Sequence, residues 1–517
     1  MNLGSYLDDR VARYRDQPCL FFYQRTLSYG EFGELVDRLA GGLRGLGVGR
    51  GDIVHVMLPN SPETLVSYFA IQKLGAVAGP INGQWRAAEL GYVLNDSGAK
   101  AIIIDRRHLA DLAAVREQCP RLQTVIVHGD GPAEGMLTLR ELLERGPAAP
   151  VSCTASEDEA AYIFYTSGTT GSPKGVLLCH RNVFADLRSF QEAMQLDEGY
   201  RILVFLPLFH VNAMLTCVST LDRGGAVVLR TQFSATEFWP TVEQYRANFF
   251  SAVPAVYAIL LADADRDRHD RSSLWFGICG AAPMPVETFR QFERTFGVPI
   301  VEGYGLTEGT CVSTINPRTG TRKVGSIGLP CPGQEVLIVD EQGRELPCGE
   351  RGEIVIRGEV VMLGYHNRPA ETAETLRGGV LHTGDVGYRD EDGYLFIVDR
   401  LKDLVIRGGE NIYPKEIDEL LASHPAVAEV ACVGVPDPVL GEELKAYVRL
   451  KDGQRASEDE LREYCRARLA AYKVPRYVQL LDRALPRNAV GKILKKEIKA
   501  WGATGQVDGE AKADAPA

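Results

Sequence analysis

The chain has 517 residues, which exceeds one ordinary domain and predicts two or three subdomains. Hydrophobic residues make up 45% and charged residues 24% of it, a balance typical of globular proteins and not of disordered chains. The formal net charge of −11 argues against a nucleic acid as partner, because a phosphate backbone requires a basic surface. An anionic substrate would have to be met by local cations and backbone dipoles.

Signals for export, membrane insertion and disulfide bonding are missing from the sequence. The eleven cysteines are scattered, and no Cys-x-x-Cys pair or zinc-ligand spacing occurs. The first 17 residues carry acidic side chains and lack the apolar core of a signal peptide. No apolar run approaches the roughly 20 residues of a membrane span. We therefore expect reduced, buried thiols in a cytoplasmic protein.

Helical and strand patterns alternate along the chain up to about Gly328. Helices are predicted at 28–46, 63–74, 235–247, 254–264 and 285–296. Strands are predicted at 52–58, 101–105, 124–128, 161–165, 201–206, 226–229 and 249–253. Repeated βα units imply an α/β fold of mostly parallel sheets with helices on both faces.

Beyond Gly328 the pattern becomes rich in β-strands. Short strands separated by Gly and Asp turns are predicted at 335–339, 353–357 and 394–398. A compact α+β module is predicted after residue 403, with helices at 414–423 and 457–471 and strands at 428–433 and 445–450. The sequence after about Gly502 is small and polar and predicts a disordered tail.

The segment 165–176 has the sequence YTSGTTGSPKGV and follows an apolar strand. Such a loop can turn backbone N–H and hydroxyl donors toward a phosphate chain, because glycine permits close approach and positive φ. It is not a Walker loop, since Lys174 is followed by Gly175 and not by Ser or Thr. A plain flexible turn has no need of a lysine between proline and glycine, so phosphate binding is the favoured interpretation.

Three further residues suggest nucleotide chemistry. Tyr304 lies between two glycines, so its ring can lie flat against a planar base. Glu308 is a hard oxygen ligand suited to Mg²⁺. Asp385, in the sequence HTGD, is placed to accept both hydroxyls of a ribose. Each alone would more often be a loop tyrosine or a solvated acid, and it is the resemblance of these segments to those of a known family that favours the functional interpretation.

Together these motifs resemble those of the adenylate-forming superfamily, which includes acyl-CoA synthetases, adenylation domains and firefly luciferase. The similarity runs from the Leu27 region to about Lys496. The resemblance implies that Thr166 shares the Mg²⁺ environment with Glu308. It implies that Lys492 is the catalytic lysine of adenylation, a mobile cation that stabilises the charge developing on the α-phosphate.

The resemblance also implies roles beside the acyl and CoA channel. His210, in the sequence LPLFH, would gate or position the substrate there, although a lone histidine is more often a core residue. The residues implied to contact nucleotide or CoA are Thr166, Ser167, Gly168, Thr169, Thr170, Gly171, Lys174, Gly280, Ala281, Ala282, Glu302, Gly303, Tyr304, Gly305, Thr307, Asp385, Arg400, Lys402, Gly408 and Gly409.

The domain organisation implied by the resemblance has four parts. They are an N-terminal AMP-binding domain at 1–399, a hinge at 400–402, a mobile C-terminal domain at 403–501 and a disordered tail at 502–517. Lys402 matches the hinge position of the family. Lys492 and the segment 407–409 would serve different half-reactions in one site, so we expect the small domain to rotate between two poses.

The activity implied is that of an AMP-forming acyl-CoA synthetase. Mg²⁺ would be its cofactor, and a carboxylic acid, ATP and CoA its partners; a homodimer is left open. Residues 206–221 contain no Lys or Arg, so an uncharged acyl body is favoured over a dicarboxylate. A medium- to long-chain fatty acid is the first choice of substrate, and an aromatic or carnitine-like acid is the second.

Three alternatives remain open at this point. An amino-acid adenylation domain should carry an acid near His210 to hold the substrate ammonium, and residues 205–220 contain none. A carrier-coupled ligase would transfer the acyl group to a phosphopantetheine protein, which the sequence does not distinguish from transfer to CoA. A non-catalytic nucleotide-binding relative is disfavoured by the joint presence of the phosphate-loop lysine, both acids and Lys492.

Overall fold

The structure, a computed structural model, describes residues 2–131, 135–147, 149–151, 154–166, 173–263, 265, 268–280, 284–487 and 493–504. The chain divides into two compact units. The first comprises Met1–Leu337 and Val355–His382, and the second comprises Ile338–Ile354 and Thr383–Ala517.

A nine-stranded sheet forms one part of the first unit. In spatial order its strands are Leu329–Pro330, Thr314–Ile315, Ile300–Tyr304, Phe276–Cys279, Phe249–Ala252, Arg201–Val204, Ala226–Leu229, Pro18–Phe22 and Arg25–Ser28. The six strands from Ile300–Tyr304 to Pro18–Phe22 are parallel, and the strands at both edges are antiparallel.

An eight-stranded sheet forms the other part of this unit. In spatial order its strands are Gly364–Tyr365, Lys174–Cys179, Ala160–Thr166, Val77–Pro80, Ile53–Met57, Ala101–Asp105, Thr124–His128 and Leu137–Thr138. The two strands nearest the Gly364 edge run antiparallel to their neighbours, and the others are parallel.

The α-helices of the first unit alternate with these strands along the chain. They are Leu3–Tyr14, Tyr29–Gly45, Pro62–Lys73, Ala87–Ser97, Leu109–Val115, Leu139–Arg145, His180–Ala193, Val211–Asp222, Ala235–Tyr245, Pro254–Ala262, Val286–Phe296 and Pro369–Thr375. The helix predicted from Ser28 begins with a capping box, in which the Ser28 hydroxyl accepts the Glu31 N–H and the Glu31 carboxylate accepts the Ser28 N–H.

Apolar side chains alternate between two cores along the strands of the nine-stranded sheet. Ile202 and Val204 enter the largest core, whereas Leu203 enters a second core on the opposite face. Val54 and Val56 of the eight-stranded sheet join the largest core as well. Both faces of the nine-stranded sheet are therefore buried, which confirms the predicted α/β class for this unit.

The second unit contains an antiparallel pair of strands and a five-stranded sheet. The pair is Leu381–Arg389 with Leu395–Arg400. The sheet has the order Glu410–Ile412, Val405–Arg407, Gly441–Leu450 and Val427–Asp437, with Tyr477–Leu481 pairing in parallel to Gly441–Leu450. The remaining strands Gln334–Val339 and Gly352–Gly358 lie in the segment predicted to be rich in β-strands. The helices are Pro414–Ala422, Glu458–Arg466 and Lys495–Thr504, so the predicted α+β character is confirmed.

Several boundaries differ from the sequence prediction by one to five residues, and two of them concern helices of the second unit. The helix predicted at 457–471 ends at Arg466, because Ala470 adopts an extended conformation that lets Val474 enter the same core as Cys465. The last helix extends to Thr504, and the rest of the predicted tail lies outside the described residues. Within the described part of the chain, no helix has the length and apolar character needed to cross a membrane.

Candidate active site

The phosphate-loop hairpin consists of the strands Ala160–Thr166 and Lys174–Cys179, which pair antiparallel. Thr166 lies opposite Lys174, so the structure brings the two ends of the predicted phosphate loop together. The following residues of the predicted site lie outside the described residues: Ser167, Gly168, Thr169, Thr170, Gly171, Ala281, Ala282 and Lys492.

Glu308 is held through both its side chain and its main chain. It lies in a 3₁₀ turn, Thr307–Gly309. Its carboxylate Oε1 accepts a hydrogen bond from the Tyr365 hydroxyl at 2.8 Å. Its carbonyl oxygen accepts the Met362 N–H at 2.9 Å. The segment 362–365 therefore determines where the predicted metal ligand points.

Tyr365 connects Glu308 to the phosphate loop. Its backbone pairs with Val176, and the Lys174 ammonium lies 5.0 Å from the centre of its ring, within cation–π range. Burial, reinforced by the Glu308 carboxylate, raises the pKa of Tyr365, so the phenol stays protonated and can donate. Sequence analysis missed this residue, because a tyrosine in the sequence GYH carries no recognisable signal.

The predicted adenine-binding segment has a backbone that only glycine permits. A Cβ atom on Gly305 would lie 1.6 Å from the carbonyl oxygen of Cys311. Tyr304, which precedes it, is half-buried, and its carbonyl oxygen accepts the Ser313 N–H at 2.9 Å. Gly305 thus lets residues 305–313, which we call the Glu308 loop, fold back on themselves.

Gly280 and Glu302 lie on neighbouring parallel strands. Gly280 follows the strand Phe276–Cys279, which pairs with the strand that carries Glu302. Among the described residues, a Cβ on Gly280 would meet the Gly303 carbonyl oxygen alone, at the ordinary contact distance of 3.5 Å. Glu302 is buried and its Oε2 accepts the Gly325 N–H at 3.1 Å, so this carboxylate also supports the fold.

The helix His180–Ala193, which we call the clamp helix, begins directly after the phosphate-loop strand. Three buried polar side chains lie on one of its faces, at a spacing of four and three residues: Asn182, Asp186 and Ser189. Each bonds to the backbone of a distant segment. Asn182 Nδ2 donates to the carbonyls of Glu359, at 2.7 Å, and Val361, at 2.8 Å. Asp186 Oδ1 accepts the Val312 N–H at 2.9 Å, and the Ser189 hydroxyl donates to the Pro332 carbonyl at 2.5 Å. The clamp helix therefore ties the phosphate loop to the Glu308 loop.

His210 is the N-cap residue of the helix Val211–Asp222, and its ring stacks against Phe209 with centroids 4.4 Å apart. Among the described residues its Nε2 atom is buried without a hydrogen-bond partner. Burial lowers the pKa of His210 to about 4, so the imidazole is neutral near pH 7. A neutral ring can position a substrate but cannot supply a positive charge.

In the second unit, the predicted ribose-binding acid and its neighbouring arginine lie side by side. Asp385 and Arg400 are directly opposite each other on antiparallel strands. Asp385 is buried, and the Arg400 Nε atom lies 2.7 Å from its Oδ1. Lys402 is exposed, in the short 3₁₀ helix Leu401–Asp403 that follows the second of these strands.

Gly408 and Gly409 form the turn of the hairpin 405–412. Their φ values of 59° and 89° are those of a tight hairpin turn, so the backbone itself requires glycine here. The neighbouring Arg407 guanidinium lies 2.7 Å from the buried carboxylate of Glu443. Its charge is therefore already compensated within this unit.

The surroundings of Lys492 are described although Lys492 itself is not. Arg487 and Ile493, which flank it in sequence, form an antiparallel bridge. Lys495 follows, with its Nζ atom 2.7 Å from the Asp418 carboxylate. Burial opposes the charge of Lys495, but Asp418 and Asp399 outweigh it and raise the pKa of this lysine.

Asp399 connects the strand before the predicted hinge to the module after it. Its Oδ2 accepts the backbone N–H of Lys415 at 2.8 Å. The Lys415 ammonium donates to the Ile397 carbonyl, also at 2.8 Å. The first turn of the helix Pro414–Ala422 is thereby bonded to the strand Leu395–Arg400 by one residue, Lys415.

Comparison with known proteins identifies the class. The sequence profile of the AMP-binding enzymes matches residues 7–366, and that of the AMP-binding enzyme C-terminal domain matches residues 416–492. The chain is 40% identical to a feruloyl-CoA synthase of Amycolatopsis sp, with 92% of this chain and 94% of the relative covered. It is 35% identical to a long-chain-fatty-acid–CoA ligase of Bacillus subtilis, with 96% and 94% covered. The ATP-bound structure of MatB from Rhodopseudomonas palustris superposes with a TM-score of 0.90 at 30% identity, covering 97% of this chain and 99% of that one.

The chain thus belongs to the AMP-binding enzyme family. Within that family it is an AMP-forming acid–thiol ligase of the acyl-CoA synthetase type, as the resemblance of its motifs predicted.

Replacing Tyr365 with phenylalanine tests the contact with Glu308. The variant keeps the ring beside Lys174 and removes only the hydroxyl. Because a hydrogen bond to a charged group is worth roughly 1.5–3 kcal/mol, we expect kcat/KM for acyl-AMP formation to fall about tenfold or more. Pyrophosphate release measures this rate.

The matched control is Tyr245→Phe, which removes a hydroxyl that donates to the Tyr23 carbonyl elsewhere in the same unit. It should leave the rate within about twofold. An equal loss in both variants would show that the Tyr365 hydroxyl has no special part in orienting Glu308.

Three histidines, of which His55 and His180 are buried and His210 is half-buried, should make the enzyme sensitive to acid. Burial lowers the pKa of His55, His180 and His210 to about 4. In an unfolded chain the pKa of histidine is about 6.5. Between these values the unfolded state binds more protons, so the free energy of unfolding should fall as pH drops from about 6.5 toward 4. Urea unfolding at a series of pH values, for the wild type and His210→Gln, measures the slope. In His210→Gln the free energy of unfolding should depend less steeply on pH. An unchanged slope would contradict the lowered pKa of His210.

Proposed function

We propose that the enzyme activates a carboxylic acid whose acyl body carries no charge. The reaction has two steps and uses the residues described above. In the first, a carboxylate oxygen attacks the α-phosphorus of ATP, and the bond to pyrophosphate breaks. In the second, the CoA thiol attacks the acyl carbon and AMP leaves. The observation that carries this proposal is the assembly of Lys174, Tyr365 and Glu308 beside the ends of the phosphate loop.

The donors in this assembly fit Mg²⁺. That ion usually takes one or two carboxylates together with substrate phosphates, and here Glu308 supplies one carboxylate near the hydroxyl-bearing Thr166 hairpin. No group of three His, Cys, Asp or Glu that could hold a metal on its own occurs among the described residues, in keeping with a site completed by the nucleotide. Bound there, Mg²⁺ would neutralise charge on the phosphates.

The protein's own residues would then divide the remaining tasks. Lys174 and the phosphate-loop donors hold the phosphate chain. Tyr304 lies against the adenine, and Asp385 with Arg400 holds the ribose. Lys492 approaches the α-phosphate during the first step, where a charge aimed at the transition state has the greatest effect.

The first candidate substrate is a medium- to long-chain fatty acid. The helix Val211–Asp222 carries no charged side chain before its last residue. Asp222, at its end, is engaged elsewhere, since its Oδ2 accepts the Gln191 Nε2 donor at 2.7 Å and its Oδ1 lies 3.7 Å from Arg10. The helix itself carries no cation that could pair with a second carboxylate on the substrate, which supports an acyl body without charge.

One observation favours a hydroxylated aromatic acid as a second candidate. Among the described residues, His210 Nε2 and Asn212 Oδ1 are both buried without hydrogen-bond partners, at the start of the same helix. Buried polar atoms left unpaired cost free energy, and a substrate hydroxyl could satisfy them. The relative that is 40% identical is named a feruloyl-CoA synthase.

A panel of acids in a pyrophosphate-release assay with CoA tests the proposal. Dodecanoate, hexadecanoate and ferulate represent the two candidates, and succinate represents the dicarboxylates. We expect kcat/KM for the best acid with an uncharged acyl body to exceed that for succinate by about 100-fold. The reason is that burying the second carboxylate of succinate without a cation costs free energy. Asn212→Leu should raise the preference for fatty acids over ferulate. A preference for succinate would overturn the proposal.

Lys492→Ala tests the division into half-reactions. Removing one electrostatic donor to a transition state typically costs about 100- to 1,000-fold, so acyl-AMP formation should fall by that factor. The reaction of CoA with synthetic acyl-AMP should be nearly unchanged. Lys496→Ala, an exposed lysine four residues on, is the control. Equal losses in both half-reactions would show that Lys492 does not act on the α-phosphate.

A further inference from the structure

The Glu308 loop contains one strained backbone position. Thr310 has φ 68° and ψ −64°, and the Cys311 N–H donates to the Gly309 carbonyl at 2.9 Å. These features define a γ-turn of the rare form with positive φ. A β-branched residue strongly disfavours this conformation, and Thr310 is fully buried. Such a turn persists only where its surroundings enforce it.

Three contacts from separate elements enforce the turn. Asp186 Oδ1 accepts the Val312 N–H at 2.9 Å, and Gln334 Nε2 donates to the Val312 carbonyl at 2.8 Å. The Thr310 hydroxyl donates to the Val360 carbonyl at 2.5 Å. Val312, two residues after Thr310, is therefore held at both its N–H and its carbonyl, by the clamp helix and by Gln334.

The turn lies two residues after Glu308. Relaxing it would rotate the peptides that connect Glu308 to Val312 and would move the Glu308 carboxylate away from the Tyr365 hydroxyl. The pairing of Met362 with the Glu308 carbonyl holds the loop only at its start. The Ser313 N–H, bonded to the Tyr304 carbonyl, closes the far end, and the contacts to Val312 hold the residues between that end and the turn.

We propose that Asp186 is a positioning residue for acyl-AMP formation: by bonding the Val312 N–H it maintains the strained turn at Thr310 and so fixes the direction of the Glu308 carboxylate. This inference rests on the proposed role of Glu308 as the ligand of Mg²⁺.

The environment of Asp186 agrees with such a role. The side chain is 2% exposed, and burial raises its pKa to about 7, although the N–H groups of Val312 and Cys311 act in the opposite direction. The thiols of Cys311 and Cys331 are the titratable groups that face it. A neutral carboxylic acid has the shape and the acceptor of a carboxamide, so Asp186→Asn should retain the bond to Val312. Asp186→Leu keeps the volume and removes the acceptor.

The first measurement is hydrogen–deuterium exchange of the nucleotide-free enzyme. In Asp186→Leu, amides of a peptide covering residues 307–313 should exchange about tenfold faster, because the lost bond opens the turn. In Asp186→Asn the same peptide should stay within about twofold of wild type. Asp222→Asn, at a half-buried aspartate that accepts from Gln191 and has no bond to this loop, is the control.

The second measurement is a Mg²⁺ titration of acyl-AMP formation at a temperature well below the unfolding transition. The Mg²⁺ concentration for half-maximal rate should rise about fivefold or more in Asp186→Leu and be restored by Asp186→Asn. The reaction of CoA with synthetic acyl-AMP should change by less than about twofold. A residue needed only for stability would lower the melting temperature without shifting the titration.

Glu308→Gln separates the two hypotheses. If it shifts the titration and Asp186→Leu opens the turn without shifting it, the positioning role of Asp186 is wrong. If Glu308→Gln leaves the titration unchanged, the proposed role of Glu308 is wrong and the inference falls with it. Should Asp186→Leu fail to fold, Gln334→Leu removes the opposite contact to Val312 and must give the same shift; its absence would equally overturn the proposal.

Discussion

The first unit depends on a requirement that buried backbone groups of irregular segments find partners. The Val312 N–H and the carbonyls of Glu359 and Val361 do not find partners by pairing within a sheet. The polar face of the clamp helix supplies their hydrogen-bond partners. Because that helix starts where the phosphate-loop strand ends, one rigid element fixes the positions of three chain segments far apart in sequence. The spacing of Asn182, Asp186 and Ser189 along the helix is what makes this possible.

Several charged groups of the candidate site contact one another or an aromatic ring. Glu308 accepts from Tyr365, Lys174 lies against the same ring, and Asp385 pairs with Arg400. Such contacts hold the side chains in defined rotamers and compensate their charges in a protein of net charge −11. Nucleotide binding must exchange these contacts for new ones, so part of its binding energy offsets their loss.

Sequence reasoning predicted most of the regular elements to within a few residues. The strands at 101–105, 124–128 and 226–229 have the predicted bounds, because continuous apolar runs between turn residues specify buried strands. Asp186 and Tyr365 were not predicted. Asp186 bonds to a residue 126 positions away and Tyr365 to one 57 positions away, and a single sequence gives no sign of such long-range contacts. The glycines at 408–409 carried an ambiguous signal, since the hairpin needs them whether or not pantetheine lies beside them.

Lys415 bears on the energetics of any rotation about residues 400–402. Its N–H and its ammonium bond to Asp399 and to the Ile397 carbonyl, which lie before that segment, whereas Lys415 itself lies after it. A rotation there would have to break both bonds, so they act as a bias toward the present arrangement. An equilibrium between two arrangements of the module would then be a property that one side chain can tune, and neutralising the charge of Lys415 by acylation would shift its populations without touching a substrate.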